Sequence, residues 1–149
     1  INFITPATEN AYLQGRMDNY PKRRGLNRVK ELLEAGINVC FAQDSINDPW
    51  YPLGNGNLMN VLDNGIHLTH LASYEEIERS FDLITYNGAK TMMIEDYGLE
   101  AGKSANFIVL NESDEFEAIR KRVDVLASVR NGEFLFRRSE PVYDIPLRI

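Results

Sequence analysis

Two short apolar runs constrain the fold most: INFIT at residues 1–5 and INVCFA at residues 37–42, each followed by a polar stretch. Between them Leu26, Val29, Leu32 and Leu33 recur at helical spacing, and Ala35-Gly36 supplies a stop. Pro6 ends the first run, because proline has no N–H to give to a ladder. Strand, connection, helix, strand is the order of a parallel βαβ unit, in which neighbouring strands require a crossover. Strands this continuously apolar suit a sheet covered on both faces. The expected class is therefore α/β. Residues 7–24 read as a long polar connection without periodicity, and Tyr12 and Tyr20 favour an ordered one over a disordered one.

Further along, Leu58, Met59, Leu62, Ile66 and Leu71 place a helix within residues 57–71. Ser73 and Glu76 have the spacing of a capping box that opens the next helix. Residues 87–93 and 114–122 read as two more short helices. From Tyr97 the texture changes: SANFIVL is strand-like, and VLASVRNGEFLF forms a hairpin around Asn131-Gly132. These patterns divide the chain into an α/β part, residues 1–96, and a β-rich module, residues 97–149. The chain opens on an apolar strand-like run without an initiating methionine, so it is expected to be a piece of a larger protein.

Composition narrows the partners. With 149 residues, 44% hydrophobic and 26% charged, the chain has an ordinary globular make-up. Its net charge of −6 argues against nucleic acid or an anionic membrane surface as a partner. Lys22, Arg23 and Arg24 form the one basic cluster, expected in a solvated loop. No stretch reaches the roughly 20 apolar residues of a membrane span. The single cysteine, Cys40, excludes an internal disulfide, suits a reducing cytoplasm and is expected as buried filler in a strand.

The stretch NVCFAQDSINDPWYPLG holds the most suggestive chemistry. An apolar strand ends at Asp44 and passes into a loop with prolines on both sides of Trp50 and Tyr51. In parallel α/β folds, ligands gather at the carboxyl ends of strands. Asp44 at that place suits a metal ligand, a general base or a hydrogen-bond acceptor; it equally suits an N-cap or an Asx turn. Asp48-Pro49 reads as turn chemistry. Trp50 either forms a rigid wall for a flat heterocycle or covers the core. His67 and His70, three apart, have the spacing to share a helical face, but nothing nearby offers a third metal ligand.

LQGRMDNYPKRRG, RVKELLEAGINVCFAQDSINDPWYPLG, NGAKTM and YGLEAGKSANFIVL together resemble the carboxyl-terminal part of the bacterial cytosine deaminases, within the metal-dependent amidohydrolase superfamily. The resemblance runs over nearly the whole chain. It implies the last two strands and helices of a (β/α)8 barrel followed by part of a small β-sandwich side domain. Residues 1–5 would be the seventh barrel strand and residues 37–43 the eighth. Asp44 then matches the aspartate that binds the metal and handles protons, and Trp50 matches a tryptophan near the pyrimidine pocket.

The implied reaction is hydrolysis of cytosine to uracil and ammonia with one divalent ion, iron or zinc. Most ligands of that ion, among them the histidines of earlier strands, belong to sequence outside this chain, which is expected to be inactive alone. Where the family has His and a second Asp, this chain has Gln43 and Ser45. That puts Ser45 beside the substrate and admits another amino-pyrimidine or a cyclic amidine or amide. A non-catalytic assembly module is the remaining alternative. The resemblance further implies a cytoplasmic, homo-oligomeric parent. This chain would need the missing barrel half, or self-association, to cover its strand edges.

Overall fold

The computed structural model describes residues 1–139 and 142. The expected β-rich module runs on into residues 140, 141 and 143–149, which lie outside the described residues. Its elements are β1 (Asn2–Thr5), α1 (Ala7–Leu13), α2 (Val29–Glu34), β2 (Asn38–Phe41), α3 (Leu58–Leu68) and α4 (Tyr74–Glu78), then a 3₁₀ helix at Ser80–Ile84. They continue with α5 (Tyr86–Thr91), β3 (Phe107–Leu110), α6 (Glu115–Lys121), β4 (Val125–Arg130) and β5 (Glu133–Arg137). The chain is mixed α/β, as its strand pattern implied.

β1 and β2 pair in parallel, Asn2 opposite Asn38 and Thr5 opposite Phe41. All four residues of β2 are buried. α5 lies against this strand: Asn38 Nδ2 donates to Thr91 Oγ1 (2.9 Å) and to the Asn87 carbonyl (3.1 Å), while Asn87 Nδ2 donates to the Val39 carbonyl (2.8 Å). Cys40 is buried in the same strand, as expected of filler. Gly36, with φ +72°, closes α2 and lets the Ile37 N–H reach back to the Leu32 carbonyl at 2.9 Å.

α3 packs its Met59, Val61, Leu62 and Ile66 into the core. Gly65 permits the closest approach, since a Cβ there would lie 2.5 Å from the Phe41 ring. Val39, Phe41, Val61, Leu62, Ile66, Leu83 and Ile119 belong to one cluster, so α6 shares its core with β2 and α3. β3, β4 and β5 form a separate antiparallel sheet, with Asn131 and Gly132 turning the hairpin at positive φ.

Two expectations change. Residues 7–24 do not form a helix-free connection, because α1 occupies their first turns. Its consecutive buried residues Ala7, Thr8 and Glu9 give no amphipathic period, so its helicity was invisible as spacing. His67 and His70 do not share a helical face either. α3 ends at Leu68, and His70 adopts φ +58° as the left-handed residue of a Schellman-type end, with the Leu71 N–H bonded to the Ile66 carbonyl at 2.9 Å.

Candidate functional site

The parallel β1–β2 pair brings two carboxylates to its carboxyl end. Asp44 follows β2 by three residues and is exposed; its carboxylate makes no hydrogen bond among the described residues. It therefore caps no helix and opens no Asx turn. Glu9, in the first turn of α1, is only 2% exposed. Its Oε1 accepts from Gln43 Nε2 at 2.7 Å, from the Asp44 N–H at 3.1 Å and from the Ser45 N–H at 3.2 Å. Its Oε2 accepts from Thr8 Oγ1 at 2.7 Å. Burial, the largest single influence, pushes the Glu9 carboxyl up. The bonds from Gln43, Thr8 and the Ser45 N–H outweigh it together and hold the group below its ordinary value.

Ser45 is buried, and the loop beyond it is tightly tied. A Cβ on Gly54 would lie 1.9 Å from the Ser45 carbonyl oxygen, so only glycine lets the loop close there. The Asn47 N–H donates to the Gly54 carbonyl at 3.0 Å. Asp48 is the turn former expected of it: its Oδ1 accepts from the N–H groups of Trp50 and Tyr51, both at 2.9 Å. The bond from Tyr51, with lesser ones from Trp50 and Ser45, lowers the Asp48 carboxyl. Trp50 does not cover the core, for its side chain stands 65% exposed on this loop. Tyr51 instead packs on Tyr12 of α1, ring centroids 5.6 Å apart.

The remaining candidates take structural parts. His67 Nδ1 donates to the Asp63 carbonyl one turn earlier, at 2.6 Å. Arg23 forks onto Asp18 (2.6 and 2.7 Å), and Lys22 Nζ reaches the carbonyls of Arg16 and Asp18 (both 3.1 Å), so two of the three clustered bases fasten their own loop. A polar cleft of about 280 Å³ opens beside Thr8, Gln43 and Tyr51. A larger one of about 340 Å³ lies by Tyr86, Lys90 and Tyr97 and contains none of the expected site residues.

A divalent ion finds no ligand set here. Among the described residues no three His, Cys, Asp or Glu side chains stand close enough to hold one. No buried side-chain polar atom among them lacks a partner, so none is left aimed at a missing ion. Asp44 is at most one ligand. Sequence reading missed Glu9 because the strand-end rule was applied to β2 alone. PATEN follows the first strand much as QDSIND follows the second, and that parallel was the available signal.

A parallel strand pair that sets carboxylates at its carboxyl end, flanked by helices and followed by a small antiparallel sheet, is a mixed α/β architecture in which ligands gather at strand ends. The sequence pattern that defines the amidohydrolase family matches residues 1–136, and the chain belongs to that family. It superposes with a TM-score of 0.93 on the crystal structure of 5-methylcytosine deaminase from Klebsiella pneumoniae liganded with 5-fluorocytosine. The two are 48% identical over 99% of this chain and 36% of that one. It is 34% identical to N-isopropylammelide isopropyl amidohydrolase of Pseudomonas sp. (strain ADP) over 73% of this chain and 27% of the relative. A 5-methylthioadenosine/S-adenosylhomocysteine deaminase of Halalkalibacterium halodurans is 32% identical over 64% of this chain and 22% of its own length. The chain thus spans about a quarter of these curated relatives. Among the described residues no helix is long and apolar enough to cross a membrane.

Proposed function

We propose that this chain is the carboxyl-terminal part of a cytoplasmic aminohydrolase that converts cytosine, or cytosine substituted at carbon 5, to the corresponding uracil and ammonia. The observation that carries the reading is the 48% identity, over almost the whole chain, to a 5-methylcytosine deaminase. On this reading β1 and β2 are the seventh and eighth strands of a (β/α)8 barrel. Residues 1–96 complete that barrel and residues 97–149 contribute to the side domain. Asp44 stands at the mouth of the eighth strand, Ser45 lies against the ring and Trp50 walls the pocket.

The reaction adds water to the ring carbon that bears the amino group: a C–O bond forms, the C–N bond breaks, and ammonia leaves. Asp44 takes the proton from water and delivers it to the departing nitrogen, a role open to an exposed carboxylate that makes no hydrogen bond among the described residues. The amidohydrolase family is metal-dependent, and its iron or zinc supplies an activated water when bound. Among the described residues Asp44 is the one side chain this reading gives to such an ion, so the other ligands come from the rest of the protein and the chain alone is inactive. Ser45, shorter than an aspartate and uncharged, leaves room beside carbon 5. The same substitution favours, as a second reading, a different amino-bearing ring.

The test is ammonia release by the full-length protein and by this chain alone, with cytosine, 5-methylcytosine and a panel of other amino-heterocycles. Turnover of the pyrimidines by the full-length protein supports the proposal. Turnover confined to other rings selects the second reading, and appreciable turnover by the isolated chain overturns the incomplete-site argument. Ser45→Asp should favour cytosine over 5-methylcytosine by about 10- to 200-fold, the scale on which one small group in a pocket discriminates. An unchanged ratio would remove Ser45 from the specificity argument.

A further inference from the structure

We propose that Glu9 is the positioning residue of the Asp44 turn, a buried acceptor that sets the direction in which the Asp44 carboxylate leaves the sheet. The inference rests on the reading of Asp44 as the proton-transfer group and deepens it.

Asp44 has no side-chain hydrogen bond of its own among the described residues, so its orientation is set by its backbone. That backbone is held from one point. Glu9 Oε1 gathers three donors from three consecutive residues: the Gln43 amide, the Asp44 N–H and the Ser45 N–H, at 2.7, 3.1 and 3.2 Å. Beyond β2 the sheet no longer supplies partners for these groups; the last bond of the pair is that from the Ala42 N–H to the Thr5 carbonyl, 3.2 Å. Glu9 takes over where the ladder stops.

The choice of residue is informative. A carboxylate that is 2% exposed is costly to bury, and an aliphatic side chain would join α1 to the sheet at lower cost. What an aliphatic side chain lacks is the capacity to accept several N–H groups at one atom. Thr8 adds its hydroxyl to Oε2, and Tyr12, one turn after Thr8, packs on Tyr51. The first turns of α1 therefore grip the 43–51 segment at both ends. Alternating the position of α1 would move Asp44 with it, and proton transfer falls steeply with such displacements.

The experiment uses the full-length protein and two variants. Glu9→Ala removes the acceptor, whereas Glu9→Gln keeps an acceptor oxygen in place and can turn its amide toward Thr8 Oγ1. Hydrogen–deuterium exchange resolved at residues 44 and 45 should accelerate by about tenfold or more in Glu9→Ala, the scale set by bonds to a charged acceptor, and should be largely restored in Glu9→Gln. Exchange at residues 39–41 should stay unchanged, which shows that the strand remains folded. In the deaminase assay Glu9→Ala should lower kcat about tenfold or more while KM changes little, and Glu9→Gln should recover most of kcat.

Unchanged exchange at residues 44 and 45 in Glu9→Ala overturns the proposal. So does a loss of kcat that Glu9→Gln fails to restore while its exchange is normal. If Glu9→Ala does not fold, Glu9→Gln alone decides, through native exchange at residues 44 and 45 together with native kcat. A wild-type protein that deaminates no tested ring overturns the function proposed above and leaves the exchange measurement to decide whether Glu9 positions the Asp44 turn.

Discussion

Asp44 and Glu9 stand on neighbouring segments of one sheet end and divide the work of a carboxylate between them. Glu9 is buried and saturated with donors; Asp44 is exposed and unencumbered. A side chain that holds nothing together can be changed without harm to the fold, and this separates chemistry from stability. On the proposed reading, Asp44→Asn in the full-length protein should lower kcat by about 10²- to 10⁴-fold, the range for a proton-transfer group. Thermal unfolding of this chain alone should place the variant's stability within about 0.5 kcal/mol of the unsubstituted sequence, as for other exposed substitutions. A comparable loss of stability would mean that Asp44 is a structural residue after all. The place of Asp44 just beyond a buried strand was legible in the sequence because an apolar run stops there. Glu9 was not, because its partners lie 34 to 36 residues away and burial of a lone glutamate leaves no mark in a polar run.

At the scale of elements, legibility followed the range of the interactions. The Ser73–Glu76 capping box is present as spaced, with the Ser73 N–H donating to Glu76 Oε2 at 3.0 Å, because a cap is written within four residues. The Asn131-Gly132 hairpin and the Gly36 stop are local in the same sense. α1 rests on tertiary contacts and escaped the pattern, and the left-handed turn that ends α3 is local but falls on His70, with no glycine to announce it. Glu76 also carries a longer tie that spacing did not disclose. Its Oε1 meets Lys30 Nζ at 2.6 Å, which joins α4 to α2. That bond, with those from Ser73, pulls the Glu76 carboxyl from 4.5 down to about 2.

A carboxyl lowered on folding stabilises the native state above its unfolded value and ceases to do so as pH falls through its folded value. The contribution of Glu76 should thus be whole above about pH 4.5 and vanish toward pH 2. Denaturant melts of Glu76→Gln at several pH values should show a flatter acid limb over that window; a limb of unchanged slope would discard the Lys30 tie. Gly65 offers a second prediction at this scale. A methyl group placed 2.5 Å from the Phe41 ring must push α3 off β2, so Gly65→Ala should destabilise by about 1–3 kcal/mol in spite of its better helix propensity. A stabilised variant would show that the α3–β2 contact has slack.

The whole molecule exposes surface that a finished domain covers. β1 is an edge strand with Ile4 54% exposed, and on the far side of β2 the Val39 carbonyl is met by Asn87 of α5. In the three-stranded sheet, Phe107, Ile108 and Val109 of β3 and Phe134, Leu135 and Phe136 of β5 are all exposed, apolar residues consecutive along each strand and so standing on both faces. Sheets left in water usually blunt such edges with charge, proline or a bulge, and patches of this kind mark a surface meant for a partner. On the proposed reading the partner is the remainder of the barrel and side domain, and in its absence a second copy is the available substitute. Sedimentation velocity on the isolated chain should then show association that deepens with concentration. Leu135→Lys together with Ile108→Lys should reverse it, since each places a charge where contact would desolvate it. Co-expression with the rest of the gene product should suppress self-association and yield a stable complex. A chain that stays monomeric at high concentration, and does not combine with the remainder, would show that these apolar strands are tolerated in water and that the site needs no complement.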